Sequence, residues 1–142
     1  MINLLVPEIF TKASKIRSRE ARIEYLRKQK CPALLDIIRI NYDDDVVSLL
    51  PEGVPPYKAD DAPEGYSYST LHNKFNMFSY FFKGGKGSSL TAIKRENMFV
   101  DLLESLHHSE AELLALAKDK KMKYKGITKE LCMEAFPNLI KK

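Results

Sequence analysis

Lys118, Lys120, Lys121, Lys123 and Lys125 fall within nine residues that also hold Tyr124 and end at Gly126. Lysines at this density displace condensed counterions from a phosphate backbone, and an interleaved aromatic ring offers a base a face to stack on. Lysines at a helix end also complement its dipole and keep a turn solvated. A second, looser set, Lys83, Lys86, Lys94 and Arg95, lies in and after the glycine-rich string KGGKGSS. These ten positions are the candidate residues for binding a partner or nucleic acid.

Other chemistry finds less support. A phosphate loop needs a glycine five positions ahead of its Gly-Lys pair and a Ser or Thr directly after it. Tyr80 and Gly87 occupy those positions here. Asp43, Asp44 and Asp45 suggest a calcium loop, but its sixth and twelfth positions are Ser48 and Val54 instead of Gly and Glu. His107 and His108 are adjacent, so on one helix they would diverge by about 100° and share no metal. No nucleophile elbow accompanies the histidines. Cys31 and Cys132 stand 101 positions apart with no Cys-x-x-Cys pair, and are expected to be reduced. No catalytic residue, metal ligand or cofactor is assigned, and the chain is not expected to be an enzyme.

The elements that must position these residues are helical by periodicity. Pro7 suits the first turn of a helix carrying Ile9, Phe10, Ala13 and Ile16. Ser18 is placed to cap a second helix with Ile23 and Leu26 inward. A third, CPALLDIIRINY, presents Leu34, Leu35, Ile37, Ile38 and Ile40 and ends at Asp43. VVSLL reads as a brief extended piece. Four prolines among residues 51–65 then forbid a helix and favour a loop that wraps the domain, anchored by Leu49, Leu50, Val54 and Tyr57. An exposed ligand strip is the other reading of that segment.

Seven of the fourteen aromatic residues lie between Tyr66 and Phe82. At helical spacing Leu71, Phe75, Phe78 and Phe82 form one stripe, widened by Met77 and Phe81, which predicts a helix either central to the core, the stronger reading, or covered by a partner. Ser89 is expected to cap the next helix, with His107 and His108 closing it. Ser109 and Glu112 make a capping box for EAELLALAKDKK, and Thr128 caps a last helix that Pro137 stops. The fold class is therefore all-α: a single domain over residues 1–142, of six or seven short helices, with an irregular proline-bearing segment over 46–65.

At 142 residues, 44% hydrophobic and 30% charged, the chain suits one globular domain. Its net charge of +4 hides alternating blocks. Residues 1–30 sum to +5, 31–70 to −6, 71–95 to +5, 96–112 to −5 and 113–142 to +5. Such blocks either neutralise one another by packing or form separate patches that steer a charged partner. No apolar run approaches the ~20 residues of a membrane helix, and the amino terminus lacks the basic flank of an export signal. A cytoplasmic protein with no membrane partner is expected.

The strings ALLDIIR, LLPEGVPPY, DAPEGYSYSTL, KRENMFVDLLESL, EAELLALAKDKK and KGITKELCMEAFP occur in this order. Together, from about Arg22 to Leu139, they resemble a family of small uncharacterised proteins of large tailed bacteriophages, including phages of marine bacteria. The resemblance implies a viral product acting in the host bacterial cytoplasm or inside the virion, and it brings no activity. A non-enzymatic protein that binds a host or phage protein, with a host-takeover or inhibitory role as one form of it, is the first expectation. A nucleic-acid-binding accessory factor of replication or transcription is the second, and a minor virion or assembly protein the third.

Overall fold

The computed structural model describes residues 4–58, 70–85, 89–137 and 139. Among them are seven helices and no sheet: α1 (Val6–Ser14), α2 (Arg19–Lys28), α3 (Pro32–Tyr42), α4 (Leu71–Lys74), α5 (Ala92–Ser105), α6 (His108–Lys118) and α7 (Lys129–Ala135). A 3-10 turn, η1 (Phe75–Tyr80), continues α4. The all-α expectation holds.

Local signals set several boundaries as expected. The Ser18 hydroxyl accepts the Ala21 N–H at 3.3 Å, and the Thr128 hydroxyl accepts that of Leu131 at 3.1 Å. Pro7 and Pro32 sit in the first turns of α1 and α3, where a missing N–H costs nothing. Ile9, Phe10 and Ala13 of α1 are buried, as are Leu34, Ile37, Ile38 and Ile40 of α3. Ile16 lies beyond the end of α1 and is half-buried.

Two starts differ from the expected ones. Thr91, not Ser89, caps α5, its hydroxyl accepting the Lys94 N–H at 3.2 Å. The Arg95 guanidinium folds back to the Leu90 carbonyl at 3.0 Å, which keeps Leu90 outside the helix. α6 begins at His108, so Ser109 is inside it and the Ser109–Glu112 box does not form its cap. His107 does that work through Nδ1, which accepts the Ser109 N–H at 3.1 Å. His107 and His108 therefore do not close α5. Their rings lie 4.2 Å apart because His107 is not helical.

The aromatic segment is the largest departure. After one α-turn the chain tightens to 3-10 geometry, at about 120° per residue, which aligns Phe75, Phe78 and Phe81 instead of the predicted stripe. Asn, Ser and consecutive aromatics are poor helix formers, and the chain must straighten to meet the extended piece. There Leu49 donates to the Phe81 carbonyl and Lys83 to that of Val47, both at 2.8 Å, forming an antiparallel bridge between Ser48 and Phe82. Phe78, Phe81 and Phe82 are buried, with Phe81 packed edge-on to Phe99 at 5.2 Å, while Phe75 is half-buried.

The centre belongs to α6. It packs against α1, α3 and α5, and Ala111, Leu113, Leu114, Ala115 and Ala117 are all buried. A helix apolar on nearly every side must be enclosed, and three alanines let its neighbours approach closely. The proline-bearing segment wraps the domain as far as it is described. Leu50 is buried and Tyr57 packs on the core, but Val54 is 52% exposed and anchors nothing. Residues 59–65 of that segment lie outside the described residues.

Candidate functional site

The most basic stretch of the sequence divides: Lys118 is buried, Lys120 and Lys121 reach partners from exposed positions, and Lys123 and Lys125 are exposed. The Lys118 side chain is 1% exposed. Its ammonium donates to the carbonyls of Pro51 at 3.0 Å and Gly53 at 2.8 Å, and to Asp119 Oδ1 at 2.9 Å. It fastens the wrap to the end of α6, helped by the Gly53 N–H donating to Asp119 Oδ2 at 2.9 Å. Lys121 lies 3.2 Å from Glu52, also on the wrap.

Lys120 has a different duty. Its N–H and that of Lys121 donate to the Ala117 and Leu116 carbonyls at 2.9 Å, a Schellman ending that puts Lys120 at φ +60, where glycine is usual. The ammonium donates to the carbonyls of Ile40 at 2.9 Å and Asp43 at 2.7 Å, satisfying the end of α3. Burial lowers its pKa, opposed by the charges of Asp44 and Asp43.

Helix ends elsewhere consume cations in the same way. Arg27 donates to the Ala135 and Glu134 carbonyls at 2.9 Å, closing α7. Arg22 donates through Nε to the Ala13 carbonyl at 3.0 Å and through a second nitrogen to that of Ile16, closing α1. Orphan carbonyls at a helix end carry partial negative charge, so a basic side chain from a neighbouring element satisfies both the hydrogen bond and the field. Many of this chain's basic residues are explained without a ligand.

Part of what remains gathers in one place. Past the Schellman ending the chain turns back at Gly126, with the Ile127 N–H donating to the Tyr124 carbonyl at 3.0 Å. Gly126 sits at φ +77, and a Cβ there would come within 2.6 Å of the Arg22 guanidinium, so only glycine fits. Arg22 donates to its carbonyl at 3.3 Å, tying this turn to the end of α1. Between them lies a groove of about 740 Å³, walled by Thr11, Ser14, Lys15, Ile16, Arg17, Arg22, Lys123, Tyr124 and Lys125. Five of these side chains are cationic and none is acidic. Lys15, Arg17, Lys123 and Lys125 are exposed.

Of the ten candidate positions, the groove takes Lys123, Tyr124 and Lys125. Lys118 and Arg95 are buried, Lys120 is bonded to the carbonyls of Ile40 and Asp43, and Lys121 is exposed and pairs with Glu52 at the surface. Lys83 and Lys94 are exposed but do not line the groove, and Lys86 lies outside the described residues. Lys15, Arg17 and Arg22 were legible only as part of the +5 block at residues 1–30, with nothing local to pair them with the +5 block at the other end.

Tyr124 is backed by Phe10, ring centroids 5.1 Å apart. Burial, with the charge of Glu112 adding to it, pushes its phenol up to about 12. Tyr42, whose hydroxyl donates to the Ile127 carbonyl, is likewise raised to about 12, chiefly by burial. Unfolded phenols ionise near 10, so both groups stabilise the fold fully below that pH, and the contribution is lost as pH rises from about 10 through about 12. An ultraviolet titration of tyrosinate is expected to show a late-ionising class, and Tyr124→Phe should remove one member of it. Ionisation of every tyrosine near its ordinary value in the folded protein would refute this packing.

A second depression, about 380 Å³ between α3 and η1, is lined by Asp36, Arg39, Phe75 and Ser79 among others. Burial raises the Asp36 carboxyl, and Arg39 opposes the shift. Its charges are mixed and select no sign. Cys132 is buried, its thiol pushed by burial to about 12, and Cys31 is half-buried; neither forms a disulfide. Among the described residues no three histidine, cysteine or acidic side chains converge as a metal-ligating group, and no helix is long and apolar enough to cross a membrane.

The model of a family of unknown function (DUF6433) matches residues 9–124, a span that holds most of α1, all of α2 to α6 and all the groove residues except Lys125. No curated protein matches the chain.

Proposed function

Because the chain belongs to that family of unknown function, whose name carries no activity, we propose from the geometry that it is a small non-enzymatic protein whose basic groove holds an anionic partner. The carrying observation is the convergence of Lys15, Arg17, Arg22, Lys123 and Lys125 on a groove without a carboxylate. Like charges held close raise each other's energy, and an anion relieves that energy while being steered by the same field. The resemblance to proteins of large tailed bacteriophages supports a partner of host or phage origin in the bacterial cytoplasm. The acidic blocks elsewhere in the chain favour a partner chosen by patch over one attracted by net charge.

Two variants of equal net charge test this. One carries Lys15→Gln, Arg17→Gln, Lys123→Gln and Lys125→Gln. The other carries Lys28→Gln, Lys30→Gln, Lys83→Gln and Lys94→Gln, all exposed positions outside the groove. Surface substitutions of this kind cost within about 0.5 kcal/mol each, so both should fold. The groove variant is expected to elute from immobilised heparin at clearly lower salt than its charge-matched counterpart. Identical elution would remove the groove as the binding site.

A further inference from the structure

Resting on the groove as the binding site, we infer that its ligand is single-stranded nucleic acid, held by its phosphates. Three features separate this ligand from an acidic peptide or a duplex. The first is the donor set. Thr11, an exposed hydroxyl, lines the groove beside the cations. Hydroxyls mixed with Lys and Arg are the usual donors to phosphate oxygens.

The second feature is the order Lys123–Tyr124–Lys125 on one wall. Tyr124 is stacked on Phe10 at 5.1 Å, so its ring is already held in place. An aromatic held between two cations serves a strand whose bases stack while its phosphates pair, and a polyglutamate has nothing to place on the ring. The third is shape. The groove encloses about 740 Å³, room for a short length of one strand. Arg22 adds a charge that cannot swing away, since it is bonded to the carbonyls of Ala13, Ile16 and Gly126.

Fluorescence anisotropy of the full chain at low salt decides the matter, with three labelled probes: a short oligothymidylate, a duplex of equal length and a polyglutamate of equal charge. The single strand is expected to bind most tightly, with log affinity falling linearly in log salt. The four-Gln groove variant should lose about tenfold or more and show a shallower salt slope. Tyr124→Leu is expected to weaken the single strand by about fivefold or more, and to leave polyglutamate unchanged, while Tyr124→Phe restores the strand. Duplex or polyglutamate binding as tight as the single strand would overturn this inference and leave the groove reading standing. Binding of all three probes equally by the groove variant and the parent would overturn both. Should Tyr124→Leu fail to fold, the ranking of the three probes on the parent still decides.

Discussion

Lys118→Met is expected to destabilise the protein by about 3–5 kcal/mol, the range for removing one partner of a buried charge pair. Methionine retains most of the apolar stem, so the loss isolates the ammonium. Without it, the carbonyls of Pro51 and Gly53 and the Asp119 carboxylate lose a shared donor at 2.8–3.0 Å. Asp119, whose side chain is 8% exposed, would then hold an uncompensated charge in the fold. The wrap would lose its fastening to α6, and its buried anchor Leu50 would be less firmly held. Urea unfolding monitored by circular dichroism measures the change. Lys123→Met, on the exposed wall of the groove, should change the unfolding free energy by about 0.5 kcal/mol or less. Equal effects from the two substitutions would contradict the division of the cluster into buried and free lysines.

Phe81→Ala is expected to cost about 3–5 kcal/mol, the usual penalty for emptying an aromatic site in a core. Phe81 is fully buried and meets Phe99 edge-on at 5.2 Å, so truncation removes both the packing and the aromatic contact. Phe75→Ala should cost less than half as much, because that ring is half-buried and borders the open depression beside Asp36 and Ser79. The sequence alone put Phe75 and Phe78 on the core stripe and Phe81 at its margin. 3-10 geometry reverses the weight of Phe75 and Phe81. Thermal unfolding of the two variants compares them directly, and a loss at Phe75 as large as that at Phe81 would restore the α-helical stripe.

Signals confined to a few neighbouring residues were legible without the fold. Ser18 and Thr128 cap their helices because a hydroxyl needs only the N–H three positions on. Pro7 and Pro32 mark starts for an equally local reason, and the apolar spacing of residues 32–42 placed α3 and its buried face. The all-α class followed, since it is the sum of such local preferences.

Where two local signals competed, tertiary packing chose. Ser89 and Thr91 are both good caps, and the reach of Arg95 back to Leu90 favours Thr91. Ser109 with Glu112 matches a capping box, yet α6 starts one turn-fraction earlier at His108, under His107. The tightening at Phe75–Tyr80 answers to the pairing of Phe81 and Lys83 with Leu49 and Val47, more than thirty residues away in the chain.

The candidate site was the least legible part. Composition and spacing identified a dense lysine cluster, but a lysine stem is long and flexible enough to turn its charge toward water or back onto a carbonyl. Which it does depends on whether an orphan helix end or a wrapping strand lies within reach. Lys118 found Pro51 and Gly53, and Lys120 found Ile40 and Asp43, all distant in sequence. Lys123 and Lys125 instead face the end of α1, where the other basic block arrives with Lys15 and Arg17, beside Arg22, which is bonded to the carbonyls of Ala13, Ile16 and Gly126. Residue type determined that the chain would carry concentrated positive charge. Only the tertiary structure decided which of those charges satisfy its own carbonyls and which are left for a ligand, because the acceptors compete through space and not along the chain.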